Sequence, residues 1–171
     1  IILKTKYKKT KQLAELHEIE ILSSDKEITS YDLINRVLSL KCDTPEASAF
    51  SLIVQLYEYY ILRNYDQIFH LSSLLEKQIE TIGDEFIKSS YKVRIGLAMM
   101  VSCLHRDKID KARFYGYDVV SFSDKDSIKG MTYLQLGNSF IFESFDTSLD
   151  YLLKSKAIAN SIDDNEKKIK Q

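Results

Sequence analysis

A single proline and five glycines are spread over 171 residues. That is about half the average usage of the two residue types together. A sandwich or barrel needs a turn residue every 8–12 positions, so this scarcity disfavours both. It also excludes collagen, proline-rich linkers and Gly/Ser low complexity. What remains is a chain of long helices joined by short polar turns. Apolar residues make up 44% of the chain and charged residues 29%, with a formal net charge of −1. This balance is globular and not disordered, and it gives no global pull toward nucleic acid or an anionic membrane. One domain of this length buries roughly 70% of its unfolded surface.

Apolar periodicity predicts about eight helices. The first runs from about Lys6 to Leu22 with Leu13, Leu16, Ile19 and Leu22 at helical spacing. Lys4, Lys6, Lys8, Lys9 and Lys11 crowd its start around Tyr7 and read as a solvated helix end before a phosphate contact. After the turn Ser23-Ser24-Asp25-Lys26, Thr29-Ser30-Tyr31-Asp32 resembles a capping box with Asp in place of Glu, opening a helix that carries Leu33, Ile34, Val37 and Leu38. Thr44-Pro45-Glu46 is the clearest helix start: Thr caps, Pro takes the first helical position and Glu suits the dipole. That helix is predicted over Pro45–Arg63 with a stripe of Phe50, Ile53, Val54, Tyr57, Tyr60 and Ile61, broken by Asn64. Later helices are predicted over about Asp66–Glu80 (Ile68, Leu71, Leu74 or Leu75, Ile79), Glu85–His105, Lys108–Phe122 and Ser127–Glu143. The last runs from Asp146 or Thr147 to near Asn160.

Long helix, tight turn and long helix in succession call for a search for repeats. Tyr133-x-x-Leu136-Gly137-x-x-Phe140 reproduces the first-helix signature of a tetratricopeptide unit, and Ser148-x-x-x-Leu152-x-x-Ser155 continues it as small-large-small. Gly96 echoes Gly137, and Ala112 is a close-packing position in the helix that follows. The predicted fold is all-α: a right-handed α-solenoid of tetratricopeptide-like hairpins in a single domain over 1–171. Residues 1–43 form a divergent first pair, and hairpins follow at 44–82, 83–123 and 124–162. Hairpins of this kind stack because none buries its own face. First helices then line a concave surface, which receives Met131, Leu134, Asn138, Ile141 and Phe142 counting from Gly137. Counting from Gly96, it receives Val93, Leu97, Met100 and Val101, with His105 one turn on. A largely apolar groove with isolated polar groups suits a short extended peptide. An Asn amide there can donate to and accept from peptide backbone at once. Asn138 is therefore read as a backbone clamp, beside the plainer readings that it is satisfied within the fold or faces solvent.

Chemistry finds no support. His17, His70 and His105 share no ligand spacing, and His105 reads as a partner of a helix C-terminus. Cys42 and Cys103 form no C-x-x-C and read as free thiols in a reducing cytoplasm. No phosphate loop, nucleophile elbow or zinc-protease motif occurs, and neither a cofactor, a metal nor a membrane span is expected. The tyrosines 57, 59, 60 and 65 read as inter-helix packing. The chain begins Ile1-Ile2-Leu3-Lys4 without an initiator Met and ends in a charged run from Asp163 to Gln171, which is expected of a piece of a longer protein.

The segments Ser24-Asp25-Lys26-Glu27-Ile28, Asp43-Thr44-Pro45-Glu46, Ser51-Leu52-Ile53, Tyr91-Lys92-Val93-Arg94 and Tyr133-Leu134-Gln135-Leu136-Gly137-Asn138-Ser139 are collinear with one family. Across nearly its whole length the chain resembles the arbitrium receptor family AimR. The resemblance implies a phage-encoded quorum-sensing transcription regulator: an N-terminal helix-turn-helix for DNA, a tetratricopeptide-like superhelix for a secreted hexapeptide, and a homodimer whose peptide-free form promotes lysis. This chain would be the central superhelix, with the DNA-binding domain and most dimer contacts outside it. The family's peptide-contacting Asn falls on Asn138 and an apolar contact on Ile141. Two further family Asn positions fall on Val101 and His105. A family Arg falls near Ser127, where the nearest base is Lys129. Those departures imply a different, less polar ligand or a receptor that has lost peptide sensing. A scaffold or adaptor that binds a partner protein through the same groove is the alternative; its mark would be a basic groove for an acidic tail.

Overall fold

The computed structural model describes residues 2–23 and 27–169, with side chains over 9–23 and 27–162. The side chains of Lys4, Lys6, Tyr7 and Lys8, the turn residues Ser24-Asp25-Lys26, and the side chains of the charged run from Asp163 lie outside what is described. Among the described residues the chain is all-α, in the order α1 (Ile2–Leu22), α2 (Ser30–Ser39), α3 (Pro45–Ile61), α4 (Tyr65–Ile79), α5 (Glu85–Leu104), α6 (Ile109–Phe122), α7 (Asp126–Phe140) and α8 (Phe145–Ile169). No strand occurs among them. The chain divides into two compact units, Ile1–Tyr91 and Lys92–Gln171.

Local chemistry explains most helix starts. Thr29 caps α2 and Asp32 reaches back to it, with the Asp32 amide donating to Thr29 Oγ1 at 3.2 Å and the Thr29 amide donating to Asp32 Oδ2 at 3.4 Å. The Thr29 hydroxyl, donating to Asp32 Oδ2 at 2.7 Å, and then the Thr29 amide hold Asp32 below its usual carboxylate range. Thr44 caps α3 with Pro45 at the first helical position. Asp84 accepts from the amides of Phe86 and Ile87 at 3.0 and 3.1 Å at the head of α5. The expected break at Asn64 is displaced: α3 ends at Ile61, Arg63 turns the chain with a φ of 55°, and Asn64 caps α4 by accepting from the Gln67 amide at 3.3 Å. Asp107 makes the equivalent turn after α5, with a φ of 53°.

Two helix ends differ from the sequence-based reading. α7 stops at Phe140 and not Glu143, because the Ile141 amide bonds to Asn138 and the chain turns there. α8 runs on through the charged segment to Ile169. The α3 stripe also divides: Phe50, Ile53 and Val54 are buried, whereas Tyr57, Tyr60 and Ile61 are exposed.

In the first unit, Leu16, Ile19, Leu33, Ile34, Val37, Phe50, Val54, Ile68, Leu75 and Ile79 form the core, and Leu74 and Leu38 face outward. His17 and Tyr91 flank Phe50, with ring centroids 4.4 and 6.0 Å away. Lys9 pairs with Glu46 at 2.6 Å, and Gln12 donates to the Lys41 carbonyl at 2.6 Å, so α1 is tied to the start of α3. In the second unit, glycines set the spacing. A Cβ on Gly96 would stand 2.5 Å from Val119, and one on Gly116 would stand 2.8 Å from Leu136 and 3.0 Å from the Met100 sulfur. α5, α6 and α7 therefore meet at Gly116, a residue for which the sequence pattern had no role.

Candidate functional site

Three faces of α7 are committed to packing, and the fourth is open. Toward α8, Gly130 and Gly137 stand opposite Ser155 and Ser148. The Ser148 hydroxyl donates to the Gly137 carbonyl at 2.9 Å, and the Ser155 hydroxyl donates to the Gly130 carbonyl at 2.8 Å. A Cβ on Gly137 would be 2.9 Å from Leu152 and 3.2 Å from the Ser148 carbonyl; one on Gly130 would be 3.1 Å from Ile158. The small residues at these positions let the two backbones approach closely enough for a hydroxyl to reach across. Toward α5 and α6, Leu136 and Thr132 are buried.

On another side, Phe140, Tyr151 and Tyr133 stack at 5.9 Å spacings, with Lys154 5.1 Å above Tyr151. Burial, and then the neighbouring Tyr117 hydroxyl, push the Tyr151 phenol up to about 12. The remaining face presents Ser127, Met131, Leu134 and Asn138 at successive turns, all exposed.

Asn138 sits in the last turn of α7. Its side-chain amide is exposed, and no hydrogen bond to it is found within the described fold. Ile141 and Phe142 lie beyond the helix, in the turn to α8, 48% and 100% exposed. Ser127 stands one residue inside the start of α7, exposed, with Lys129 half-buried close by.

On α5 the groove reading needs correction. Val93 and Met100 are core residues at 5% and 1% exposure, Met100 lying against Gly116. Leu97 and Val101 are half-buried, and His105 is exposed just after the helix ends. The structure thus places Ser127 and Asn138 on one row of α7, Ile141 and Phe142 at its end, and Val101 and His105 on α5 and just past it.

One residue that sequence reasoning missed holds this end of α7 in place. Arg113, on α6 and 9% exposed, donates from Nε to Ser139 Oγ at 3.2 Å and from a terminal nitrogen to the Ser139 carbonyl. It also pairs with Glu143 at 2.8 Å and lies 3.7 Å over the Phe140 ring. A guanidinium at a helix C-terminus satisfies a carbonyl and opposes the negative end of the dipole. Ser139 adjoins Asn138, so Arg113 fixes the turn from which the Asn138 amide projects. Its one local cue is Asp110 a turn earlier, 3.7 Å away; Ser139 and Glu143 are brought to it by the fold.

Both cysteines are free thiols, Cys103 buried and Cys42 half-buried. Burial pushes both of them up from the usual thiol range. No cluster of three or more His, Cys, Asp or Glu that could hold a metal ion occurs among the described residues. No described helix is long and apolar enough to cross a membrane.

With this geometry in view, the sequence profile of the AimR transcriptional regulator-like family matches residues 1–171. The chain belongs to that family. The AimR transcriptional regulator of Bacillus phage SPbeta is 23% identical over 151 residues, covering 88% of this chain and 39% of that protein. The AimR transcriptional regulator of Bacillus phage phi3T is 26% identical over 135 residues, covering 79% of this chain and 35% of that protein. An uncharacterized protein of Bacillus anthracis is 28% identical over 116 residues, covering 66% of this chain and 43% of its own length. A solved structure of selenomethionine phAimR superposes with a TM-score of 0.80 at 23% identity, over 88% of this chain and 39% of that one. A phAimR–ligand structure superposes with a TM-score of 0.77, over 89% of this chain and 45% of that one. The fold class is therefore the all-α helical solenoid of AimR proteins. This AimR-like chain spans between about a third and just under half of the length of these relatives.

Proposed function

We propose that this chain is the peptide-sensing module of an AimR-like phage transcription regulator that controls the choice between lysis and lysogeny through a short secreted peptide. The observation that carries the reading is the open row Ser127, Met131, Leu134 and Asn138 on α7, closed by Ile141 and Phe142. Membership of a regulator family and the existence of a ligand-bound phAimR structure support it. In this reading the apolar members take peptide side chains, and the Asn138 amide takes peptide backbone, as donor and acceptor together. Val101 and His105 contribute from α5. The peptide acts by favouring one of two conformations of the helical array. DNA contact and the main dimer contacts are assigned to segments outside this sequence. No cofactor takes part, and the setting is the cytoplasm.

An adaptor for acidic tails would need a basic row, and the open α7 row carries no Lys or Arg. Calorimetry with candidate hexapeptides tests the proposal. One of them binds, and Asn138→Ala weakens it about tenfold, the scale of one or two lost hydrogen bonds. Unchanged affinity in that variant would rule out the clamp.

A further inference from the structure

Asn138, Ile141 and Phe142 follow one another through a helix end and a turn, where backbone is least restrained. An α-helix leaves its last four carbonyls without partners of its own, so side chains there keep a fixed direction only if a neighbour holds them. The bond that closes this turn from within is long: the Ile141 amide donates to the Asn138 carbonyl at 3.4 Å. The restraint comes through the residues in between. Ser139, Phe140 and Glu143 all meet the guanidinium of Arg113 on α6. Its Nε donates to Ser139 Oγ at 3.2 Å, one terminal nitrogen donates to the Ser139 carbonyl, and the other pairs with Glu143 at 2.8 Å. Its central carbon lies 3.7 Å from the centre of the Phe140 ring. Ser139 Oγ in turn donates to the Leu136 carbonyl at 2.7 Å. The segment 138–143 therefore divides by direction. Positions 138, 141 and 142 are exposed, and positions 139, 140 and 143 are gripped by one side chain from another helix.

We infer that Arg113 is a positioning residue of the peptide site: it sets the affinity for peptide by fixing the direction of the Asn138 amide, without touching the peptide itself. The inference rests on the reading of Asn138 as the clamp. Two observations argue for positioning over stability. The first is the setting of the charge. Arg113 is 9% exposed, whereas the side chains of Glu143 and Asp110, its acids, are 58% and 100% exposed. A buried cation answered by solvent-facing carboxylates returns little net stability, and an apolar side chain of similar volume often does as well in such a place. The second is geometry. All three guanidinium nitrogens are engaged, in three directions. An ammonium is a single point charge on a flexible stem and cannot reproduce that fork. What Arg supplies here and Lys or Met does not is the orientation of a turn. A backbone clamp depends on orientation, because an amide that donates and accepts at once loses both bonds when it tilts.

Calorimetry on the whole chain tests it, the probe being the tightest binder that the wild type selects from a synthetic hexapeptide library. Arg113→Lys should weaken that peptide about fivefold or more. Arg113→Met, which keeps an apolar side chain over Phe140, serves as the second variant and should do the same. In a double-mutant cycle, Arg113→Lys on the Asn138→Ala background should change affinity by less than about twofold, since the residue acts through the amide. Thr29→Ala, which removes a cap in the first unit, should lower the melting temperature and leave affinity unchanged. Wild-type affinity in Arg113→Lys and Arg113→Met, with Asn138→Ala still weakening the peptide, would overturn the inference and leave the clamp standing. Additive losses in the cycle, or an equal loss of affinity in Thr29→Ala, would overturn it as well and reduce Arg113 to a structural residue. A library with no member that binds the wild type would remove the peptide reading, and this inference with it.

Discussion

Glu58 is a buried carboxyl of the first unit. It lies on α3 at 1% exposure, and neither carboxylate oxygen has a hydrogen-bond partner. Burial pushes its carboxyl above the ordinary carboxylate range. The folded chain therefore holds this proton more tightly than the unfolded chain. The associated stability is fully present below the ordinary carboxylate value and is lost as pH rises through the raised one. Glu58→Gln removes the titration, so chemical denaturation across pH 4–8 should show a flatter stability profile than wild type. An equally steep decline in the variant would place the titrating group elsewhere.

The glycines make a graded set. Gly137→Ala should cost about 1–3 kcal/mol, because its Cβ would overlap Leu152 and approach the Ser148 carbonyl, outweighing the ~1 kcal/mol gained in helix propensity. Gly130→Ala meets the Ile158 side chain at 3.1 Å and should cost less. Gly83→Ala, with open space around it, should be near neutral. Urea midpoints would order the three, and equal costs would mean that the close approach of α7 and α8 does not limit stability.

At the scale of the element, stability rests on caps and on the seam between α7 and α8. Thr29→Ala removes the reciprocal capping of α2 and should cost about 1 kcal/mol. Ser148→Ala and Ser155→Ala each remove one hydroxyl-to-carbonyl bond across the seam, at about 1 kcal/mol apiece. These bonds lie two turns apart, roughly 10 Å along the helices, and share no partner, so the double variant should be close to additive. Arg113→Ala strips the last turn of α7 of its carbonyl partner and of its pair with Glu143. It should raise amide hydrogen exchange over 137–141 more than over the start of α7. Uniform exchange along α7 in that variant would deny Arg113 its role at the Asn138 end.

At the scale of the molecule, the two compact units predict that distant changes add. Thr29→Ala in the first and Gly137→Ala in the second share no partner, and their combined effect on stability should equal the sum within about 0.5 kcal/mol. A thermal denaturation cycle of the four variants measures this. A larger interaction term would show that the units unfold as one tightly coupled body.

Much of this was legible in the residues alone. All-α class, the order of the helices, the caps at Thr29 and Thr44, and the close approaches at Gly96 and Gly137 follow from local rules, because propensity, capping and helical spacing act within a few residues. That Met131, Leu134 and Asn138 share one face follows from the same spacing, whereas Ser127 entered through the family resemblance alone. What the sequence left open depends on contacts between distant segments. Arg113 reaches Ser139 and Glu143, Gly116 receives Leu136 and Met100, and Gly130 meets Ser155 and Ile158. Met100 is buried where α6 brings Gly116 and α7 brings Leu136, whereas Leu134 on α7 stays open. Helical spacing says which residues share a face; only the packed neighbours determine whether that face is core, seam or surface.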